Sequence, residues 1–577
     1  MPATGDGKPA TAARARLIGA MYAVGALVSL MIFFRHLIVY RLDRISGDIG
    51  DSRVAMVLLE HWREFSMGQV AWKSPIVLYP SPNFLANTDA YLAYAPLFAV
   101  FRSLGLDIYL SFEFTLIAVK AIGFASMAWM LRAVLALPHW AAILGPVLFT
   151  IFASSYGHFQ HSQLLSIAFV PLIVVGLVNF FANLKSRPLV ALCYGALAAT
   201  MLPLVLMTAF YIGWFFVLFA VCCLVVFLVY YGAQAARSAP TLLRLLARRI
   251  GVVLAVGCVF LTSLAPFLVL YLPKLSESGG HSYGALVVNS PNLFDIFHLD
   301  SSNLVWGAAM QRFFTAVYIG RPINGEIVTG MTPLLLIVFA VTLIKTMQNS
   351  RGVPMESRDL RTHFVIVAGL STIILWFMSV RVDGLSLWWL IYRFFPGGSA
   401  MRVPGRLPIF LATFIIPIAM TGLVWLSETI TRRKAFIGGA MAALLIAAAL
   451  AGALAIEQID LRNPAAISRA EEHRILDRVQ APPSACRMFY VSRPAPRAES
   501  WALLRDRYGP NFDAAIIAQR YDIPTFNGMS TFEPKGWDLS EPGAAGYEQA
   551  VQNWIEINHL GAGVCALDLS TALWSQR

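Results

Sequence analysis

A chain of 577 residues that is 58% hydrophobic and only 13% charged does not have the composition of a soluble enzyme, since soluble domains carry about twice that charged fraction. The formal net charge of +12 does not indicate a nucleic-acid partner, because most lysines and arginines fall in short segments between apolar runs, where they set membrane topology. Apolar runs of about 20 residues, long enough to cross ~30 Å of hydrocarbon, recur along most of the chain. These runs are continuous and not alternating, so they predict spanning helices surrounded by membrane lipids.

The first apolar run, residues 17–39, predicts a retained span with a cytoplasmic N-terminus. It resembles a signal peptide, but it is too long and no small-residue cleavage site follows it. Ten further spans are predicted, which makes about eleven in all. They lie at residues 108–131, 139–156, 163–182, 189–207, 209–231, 251–272, 328–346, 363–380, 405–427 and 435–456.

Alternation of sides along these spans predicts the topology of a multi-pass protein of the bacterial inner membrane. It places every short basic connection in the cytoplasm, as the positive-inside rule requires. The segment 232–250 is then an amphipathic helix on the cytoplasmic face. Four long regions lie outside, at 40–107, 273–327, 381–404 and 458–577, so the working surface is expected there.

The sequence predicts two domains. Residues 1–457 form a transmembrane module, and the last 120 residues, 458–577, form a separate α/β domain outside the membrane. Strands are predicted at 487–491 and 564–568, and helices near 510–520 and 545–558. Four of the six cysteines fall inside spans, where they act as small apolar side chains. The remaining two, Cys486 and Cys565, each adjoin a predicted tail strand, and an oxidising compartment favours a disulfide between them.

The first long loop, 40–107, carries the strongest candidate for catalysis. Asp48 and Asp51 directly follow a span, and Arg53 comes two residues later. Carboxylates at a membrane–water boundary are partly desolvated, which raises their pKa toward the working range of a general base. The alternative is structural, with both aspartates capping the following helix and Arg53 as a solvated partner.

Further polar residues of this loop have two interpretations. Glu60 and His61 lie two to three turns after Asp51 and are expected to face the same cavity, or else to form the polar face of an interfacial helix anchored by Trp62. Asp89 begins a second amphipathic stretch that continues to residue 104. Its position predicts an N-cap of that stretch, with substrate contact as the alternative.

Polar residues near later spans add a second group of candidates. His158 and His161 lie three residues apart in one outer turn and predict phosphate or hydroxyl contact, with two surface histidines of a turn as the alternative. The chain has no H-E-x-x-H motif and no cysteine-rich partner, so no metal ligands are predicted. Glu326 precedes the eighth predicted span and faces the same cavity or, alternatively, solvent.

Charged residues within or at the ends of spans complete the set. Arg402 and Arg406 are four residues apart and share a face if that turn is helical, which would suit a phosphate leaving group. Snorkelling to lipid headgroups is the alternative. Glu113 and Lys120 lie seven residues apart inside one span and predict a polar interior.

The order of these motifs along the chain resembles that of the GT-C fold glycosyltransferases and, more narrowly, of the bacterial YfhO-like membrane proteins. The resembling stretches are 47–53, 59–61, 74–80, 87–89, 158–163, 402–406 and 527–532. The resemblance implies an all-α polytopic fold and an acidic general base in the first outer loop, here Asp51 or Asp48. It also implies transfer of a sugar, with inversion, from a polyprenyl-phosphate donor.

The predicted function is therefore glycosyl transfer from a lipid-linked donor to an envelope glycan, lipid or protein on the outer face. Asp51 is the predicted base and Asp48 its orienting neighbour, while residues 273–327 supply a lid. No cofactor is predicted, and a divalent metal ion is left open. The alternatives are a transporter or flippase of a lipid-linked precursor and a non-catalytic scaffold whose tail binds envelope components. The predicted substrate-binding residues are Arg53, Glu60, His61, Asp89, His158, His161, Glu326, Arg402 and Arg406.

Overall fold

A computed structural model describes residues 7–318, 325–433, 437–497, 499 and 501–577. Within those residues, nine helices are long and apolar enough to span a membrane. They are Ala13–Phe33, Ile108–Ala133, His139–Gly157, Ser162–Asn183, Pro188–Thr208, Phe210–Tyr231, Ile250–Ser278, Leu360–Ser379 and Pro404–Ile430. Two shorter apolar helices, Pro333–Asn349 and Leu445–Ile456, occupy the other two predicted spans. The predicted class, a helical multi-pass membrane protein, is confirmed.

Shorter elements connect the spans and build the tail. The predicted amphipathic segment 232–250 is the helix Ala233–Arg248. The other helices are Arg35–Val39, Asp51–Ser66, Ala95–Ser103, Tyr283–Val288, Gly307–Val317, Trp388–Phe394, Arg469–Leu476, Gly509–Tyr521 and Tyr547–Ile557. The strands are Arg44–Ile45, Arg381–Val382, Leu385–Ser386, Ile467–Ser468, Met488–Arg493, Val564–Asp568 and Leu573–Gln576.

The helix Leu407–Arg433 lies at the centre of the bundle. It packs against several other helices, among them His139–Thr150, Pro333–Asn349, Leu360–Ser379 and Ile437–Ile456. Its apolar side chains are buried nearly all round, as expected of a helix that is hydrophobic on every face. The helix therefore fixes the position of the turn that precedes it, residues 398–406, which belongs to the candidate site.

The two charged residues inside a span contribute to packing. Glu113 accepts hydrogen bonds from the backbone nitrogen of Ser46 at 2.8 Å and from its Oγ at 2.7 Å, and it pairs with His36 at 3.0 Å. Lys120 Nζ donates to the carbonyl oxygen of Thr150 at 3.0 Å. Buried charges in spans normally take such partners, and these two hold the span to its neighbours.

The tail contains the small sheet that its sequence predicts. Met488–Arg493 runs parallel to Val564–Asp568, which is antiparallel to Leu573–Gln576. The predicted helices are found at Gly509–Tyr521 and Tyr547–Ile557. The predicted Cys486–Cys565 disulfide is confirmed, with its Cα atoms 5.6 Å apart.

The tail, predicted to be separate, packs directly against the first long loop. Strand Arg44–Ile45 pairs with Ile467–Ser468, and the backbone nitrogen of Tyr79 donates to the carbonyl oxygen of Thr525 at 2.9 Å. Helix Gly509–Tyr521 packs on helix Asp51–Ser66. The two-domain boundary at 457 stays a prediction, but the two segments form one contiguous surface above the spans.

Candidate active site

A cavity of about 660 Å³ lies where the first long loop, the ends of several spans and the tail meet. The loop and spans supply the polar residues Asp51, Asn87, Asp89, Tyr91, His161, Gln163, Glu326, Arg402 and Arg406. Aromatic side chains from two spans form one wall, namely Phe210, Tyr211, Trp214, Phe267 and Tyr271. The tail contributes Leu503, Arg507, Tyr508 and residues 529–533. The volume is within the range of small-molecule binding sites.

Four predicted site residues form a continuous polar chain along this cavity: Asp51, His161, Glu326 and Arg406. His161 Nε2 lies 3.2 Å from Asp51 Oδ2 and 3.6 Å from Glu326 Oε1. Arg406 donates two parallel hydrogen bonds to Glu326, at 2.8 and 2.9 Å. We call these residues the polar chain. Because the Arg406 charge is matched by Glu326 in a bidentate pair, this arginine is not a free anion-binding group.

Asp51 is the carboxylate of the polar chain that faces the open cavity. It is the first residue of helix Asp51–Ser66, where the helix dipole favours a negative charge. Its side chain is 42% solvent-accessible. Desolvation opposes ionisation, but the hydrogen bond and charge of His161, together with the Arg406 charge, hold the pKa of Asp51 below its ordinary value. Asp51 is therefore an anion at neutral pH.

Asp48 has a different environment from Asp51. Its Oδ1 accepts a hydrogen bond from the backbone nitrogen of Gly50 at 3.0 Å, so it stabilises the turn before the helix. Burial, followed by the charge of Asp51, raises the pKa of Asp48 to about 6. Asp48 is not among the residues that line the cavity. The structural interpretation, in which an aspartate stabilises the start of the helix, therefore applies to Asp48. Asp51 has the exposure that a base requires.

Asp89 lines the cavity and also caps a helix, although not the one predicted. Its Oδ1 accepts a hydrogen bond from the backbone nitrogen of Phe210 at 2.7 Å, at the start of helix Phe210–Tyr231. The amphipathic stretch that follows Asp89 becomes helix Ala95–Ser103, which begins after Tyr94. The predicted cap of that stretch is wrong, because five residues, 90–94, separate Asp89 from the helix. Burial raises the pKa of Asp89.

The two histidines of the turn separate in role. His161 belongs to the polar chain, whereas His158 is buried behind it, and its Nε2 lies 3.2 Å from the carbonyl oxygen of Val328. Burial and the neighbouring His161 lower the pKa of His158 to about 3, so its ring is neutral. Ligand atoms of His158, His161 and Glu326 all lie within 4.8 Å of one another. Two imidazoles and a carboxylate are donors that suit Zn²⁺ or a similar cation.

Three predicted substrate-binding residues lie away from the cavity. Glu60 pairs with Arg63 at 2.6 Å and with Arg102 at 2.9 Å, and His61 Nε2 lies 2.9 Å from the carbonyl oxygen of Trp72. Arg53 is fully buried among tail residues. Placement of these three in the cavity is wrong, because helix Asp51–Ser66 turns only its first residues toward it. The interfacial alternative is also wrong, since both sides of the helix are covered by protein.

Arg402 and Arg406 both line the cavity, but they do not form a pair on one helix face. Pro404–Arg406 is a single 3-10 turn, and Val403, which lies between the two arginines, has a non-helical backbone conformation with φ −122° and ψ 78°. Arg402 is exposed, and its backbone nitrogen donates to the Tyr211 hydroxyl at 2.9 Å. Among the described residues its guanidinium has no carboxylate partner, so Arg402 carries an uncompensated positive charge at the cavity.

Several cavity residues carry no signal that sequence reasoning uses. The aromatic wall comes from apolar spans, where a Phe or Tyr is indistinguishable from a lipid-facing residue. Arg507 and Tyr508 lie in a tail helix without a motif. Residues 529–532 belong to the stretch 527–532 that resembles the GT-C and YfhO-like proteins, and this resemblance is the signal that could indicate them. Among the described residues of the predicted lid region, 273–327, those that line the cavity are Lys274, Leu275, Ser278, Gly280, His281 and Glu326.

Comparison with known proteins gives structural similarity at low sequence identity. No family model and no curated protein matches the chain. The oligosaccharyltransferase of Archaeoglobus fulgidus aligns with a TM-score of 0.47 and 11% identity, over 95% of this chain and 69% of that chain. ArnT from Cupriavidus metallidurans, bound to undecaprenyl phosphate, aligns with a TM-score of 0.42 and 11% identity, over 89% and 85% of the two chains.

A third solved structure shows the same level of similarity. The mycobacterial arabinofuranosyltransferase AftD aligns with a TM-score of 0.42 and 14% identity, and the match covers 87% of this chain and 31% of AftD. All three are GT-C fold glycosyltransferases. At these identities and scores the similarity describes overall shape and assigns no activity, so function must be argued from the cavity itself.

Proposed function

We propose that this protein is an inverting glycosyltransferase that moves a sugar from a polyprenyl-phosphate donor to an envelope acceptor. The observation that carries the proposal is a cavity with an exposed anionic carboxylate, Asp51, an aromatic wall on spanning helices and an uncompensated arginine, Arg402. A base, a lipid-facing wall and an anion-binding group are the three elements that transfer from a lipid phosphate requires. Of the solved structures with a similar shape, one is named an oligosaccharyltransferase, one an arabinofuranosyltransferase, and ArnT was solved bound to undecaprenyl phosphate.

In the proposed reaction Asp51 is the general base. The acceptor hydroxyl gives its proton to an Asp51 oxygen, and its oxygen attacks the anomeric carbon from the face opposite the phosphate. The bond from that carbon to the phosphate oxygen breaks, and its electron pair leaves with polyprenyl phosphate, so the configuration inverts. His161 orients Asp51 through their 3.2 Å contact. A general base of this kind contributes about 10²–10⁴ in rate.

We assign the leaving phosphate to Arg402. Arg406 is matched by Glu326, Arg507 by Glu533 at 3.0 Å, and Lys274 by Glu277 at 3.4 Å. Arg402 keeps a full charge, and its planar guanidinium suits a phosphate. The negative charge of Asp51 in the same cavity disfavours a phosphate beside the base and thereby favours one at Arg402.

The lipid tail of the donor is expected to lie along helix Ile250–Ser278. This helix lines the cavity with Phe267, Leu268 and Tyr271, and almost none of its apolar window is covered by protein. A polyprenyl chain can therefore remain in the membrane while its phosphate reaches Arg402. Burial of apolar chain against such a surface stabilises binding by roughly 25 cal/mol per Å².

We further propose that the cavity opens on the outer face of the bacterial inner membrane, with the N-terminus in the cytoplasm. The basic short connections support this orientation. The Cys486–Cys565 disulfide also supports it, because disulfides persist in oxidising compartments. A YfhO-like affiliation is retained as part of the proposal.

A divalent cation could be held by His158, His161 and Glu326. Bound there, it would act as a Lewis acid toward a phosphate or hydroxyl oxygen. The chain's own residues account for the other roles: His161 orients the base, Glu326 fixes Arg406, and Arg402 binds the phosphate. Transfer rates should therefore be compared for chelator-treated protein with and without an added divalent cation.

The experiment uses the full-length protein in sealed vesicles with a panel of radiolabelled polyprenyl-phosphate pentoses and hexoses. An envelope extract from a strain lacking the protein supplies the acceptor. We expect label in the extract fraction and a loss of at least about 100-fold in Asp51→Asn. The matched control, Asp477→Asn, removes an exposed tail carboxylate and should transfer at the wild-type rate. Label that crosses the membrane while still attached to its lipid would instead establish a flippase. The structure gives that alternative less support, because Glu113 and Lys120 are engaged in packing.

A further inference from the structure

Two arginines and two carboxylates form a buried cluster between the first long loop and the tail. Arg53 Nη2 lies 3.0 Å from Glu472 Oε2 and also contacts Asp513 Oδ1. Arg497 lies 2.7 Å from Glu472 Oε1 and 2.5 Å from Asp513 Oδ1. The four side chains are between 0% and 3% exposed. We call Arg53, Glu472, Arg497 and Asp513 the four-ion cluster; it has equal numbers of positive and negative charges.

The cluster attaches to the helix that carries the proposed base. Arg53 follows Asp51 by two residues, and residues two apart on a helix point in nearly opposite directions, since each residue turns the helix by about 100°. Asp51 faces the cavity, while Arg53 points into the tail and also donates to the carbonyl oxygen of Gly509 at 3.3 Å. One helical turn therefore has the base on one side and the tail attachment on the other.

A second contact holds the same turn. A Cβ added at Gly50 would lie 3.0 Å from Tyr508 Cδ1 and 3.1 Å from Leu504 Cδ2, so both tail side chains pack against the backbone directly before Asp51. Upstream, the backbone nitrogen of Gly47 donates to the carbonyl oxygen of Pro464 at 2.8 Å. The tail thus contacts the turn from three directions.

We propose that the tail positions the base, and that Arg53 is the positioning residue through which it acts. This inference rests on the proposed function, because it takes Asp51 as the base. Buried ion pairs generally add little net stability compared with apolar residues of the same size. They do impose a defined geometry, which is what a base needs: a displacement of about 1 Å can cost roughly 100-fold in rate.

The test compares Arg53→Met and Arg53→Lys in the full-length protein. Methionine keeps much of the side-chain volume without the charge, and lysine restores the charge without the planar fork. We expect Arg53→Met to lower kcat at least tenfold with donor KM within twofold of wild type, and Arg53→Lys to recover part of the loss. In the Arg53→Met background, Asp51→Asn should cost much less than it does in wild type. Arg520→Met, which removes an exposed tail arginine paired with Asp477, is the matched control and should leave kcat unchanged.

Two measurements keep the inference testable if Arg53→Met fails to fold or if wild type transfers no label. Gly50→Ala places a methyl group against both Tyr508 and Leu504 and should lower kcat. Adding Leu504→Ala relieves one of these two contacts and should restore part of the loss. Hydrogen exchange of residues 44–53 should become faster in Arg53→Met or Gly50→Ala than in Arg520→Met, whatever the activity. Unchanged kcat together with unchanged exchange in this segment would overturn the inference. Absence of transfer by wild type with altered exchange would instead refute only the proposed function.

Discussion

The environments of Asp48 and Asp51 predict a pH profile that identifies the general base. A base must be ionised to accept a proton, so kcat/KM rises as the pH increases through the pKa of the group that acts. Asp48 has a pKa of about 6 because it is buried and lies beside the Asp51 charge. The pKa of Asp51 is held below the ordinary 3.8 by His161, despite its desolvation. The two candidates therefore predict different acidic limbs.

The size of the difference follows from these values. A group with a pKa of about 6 is about 10% ionised at pH 5 and about 90% at pH 7, so catalysis by Asp48 would make kcat/KM rise about tenfold over this interval. A group with a pKa below 3.8 is already more than about 90% ionised at pH 5, so catalysis by Asp51 would change kcat/KM by less than about 10%. We expect the flat profile.

The assay measures initial rates of donor consumption between pH 4.5 and 8 for wild type and for Asp48→Asn. Protein held at pH 5 and returned to pH 7 before measurement controls for acid inactivation. Asp48→Asn should keep the flat profile, because the amide preserves one acceptor for the Gly50 nitrogen and removes only the neighbouring charge. A tenfold limb near pH 6 in wild type that disappears in Asp48→Asn would refute the assignment of Asp51.

Three further predictions concern the tail disulfide, the polar chain and the phosphate site. Cys486→Ala opens a loop with a sequence separation of 79 residues and should lower the free energy of unfolding of the tail by about 4.5 kcal/mol. Pulse proteolysis of the full chain in urea measures this loss, and a loss below about 1 kcal/mol would contradict the loop-entropy argument. Glu326→Gln leaves the buried Arg406 without its anion and should cost about 3–5 kcal/mol, seen as a lower thermal midpoint than that of the exposed control Glu356→Gln. Arg402→Gln should raise the donor KM roughly 10–100-fold, since a charge-assisted hydrogen bond contributes about 1.5–3 kcal/mol, and an unchanged KM would remove Arg402 from the phosphate site.

Features that depend on local pattern could be predicted from the sequence. Each predicted span falls on a helix, because a run of apolar residues in a bilayer leaves the backbone no other way to satisfy its hydrogen bonds. The Cys486–Cys565 pair could be predicted because the other cysteines lie in spans. Asp51 could be predicted as a cavity residue because it is a carboxylate in the first long loop, shortly after a span.

Features that depend on long-range packing could not be predicted. Arg53 was expected in solvent or in the site, but its partners Glu472 and Asp513 lie more than 400 residues away in sequence. Glu60 and His61 were expected beside Asp51, yet the tail covers their helix. Asp89 caps a helix that begins at Phe210, which no local capping pattern indicates. In each case the missing information was the position of a distant segment.

The stretch 402–406 illustrates how the fold gives a role to a motif whose sequence signal is weak. Gly405 lies against the backbone of the neighbouring turn, and a Cβ there would come within 3.0 Å of the carbonyl oxygens of both Asn289 and Glu326. Only glycine permits this close approach without a shift, and the approach allows Arg406 to reach Glu326 with two hydrogen bonds. Pro404 starts the 3-10 turn that directs Arg406 inward, while Arg402, before the turn, stays exposed at the cavity. The turn thus separates two equal charges. Arg406 is neutralised by Glu326, whereas Arg402 has no carboxylate partner in the described part of the chain and is the residue to which we assign the phosphate.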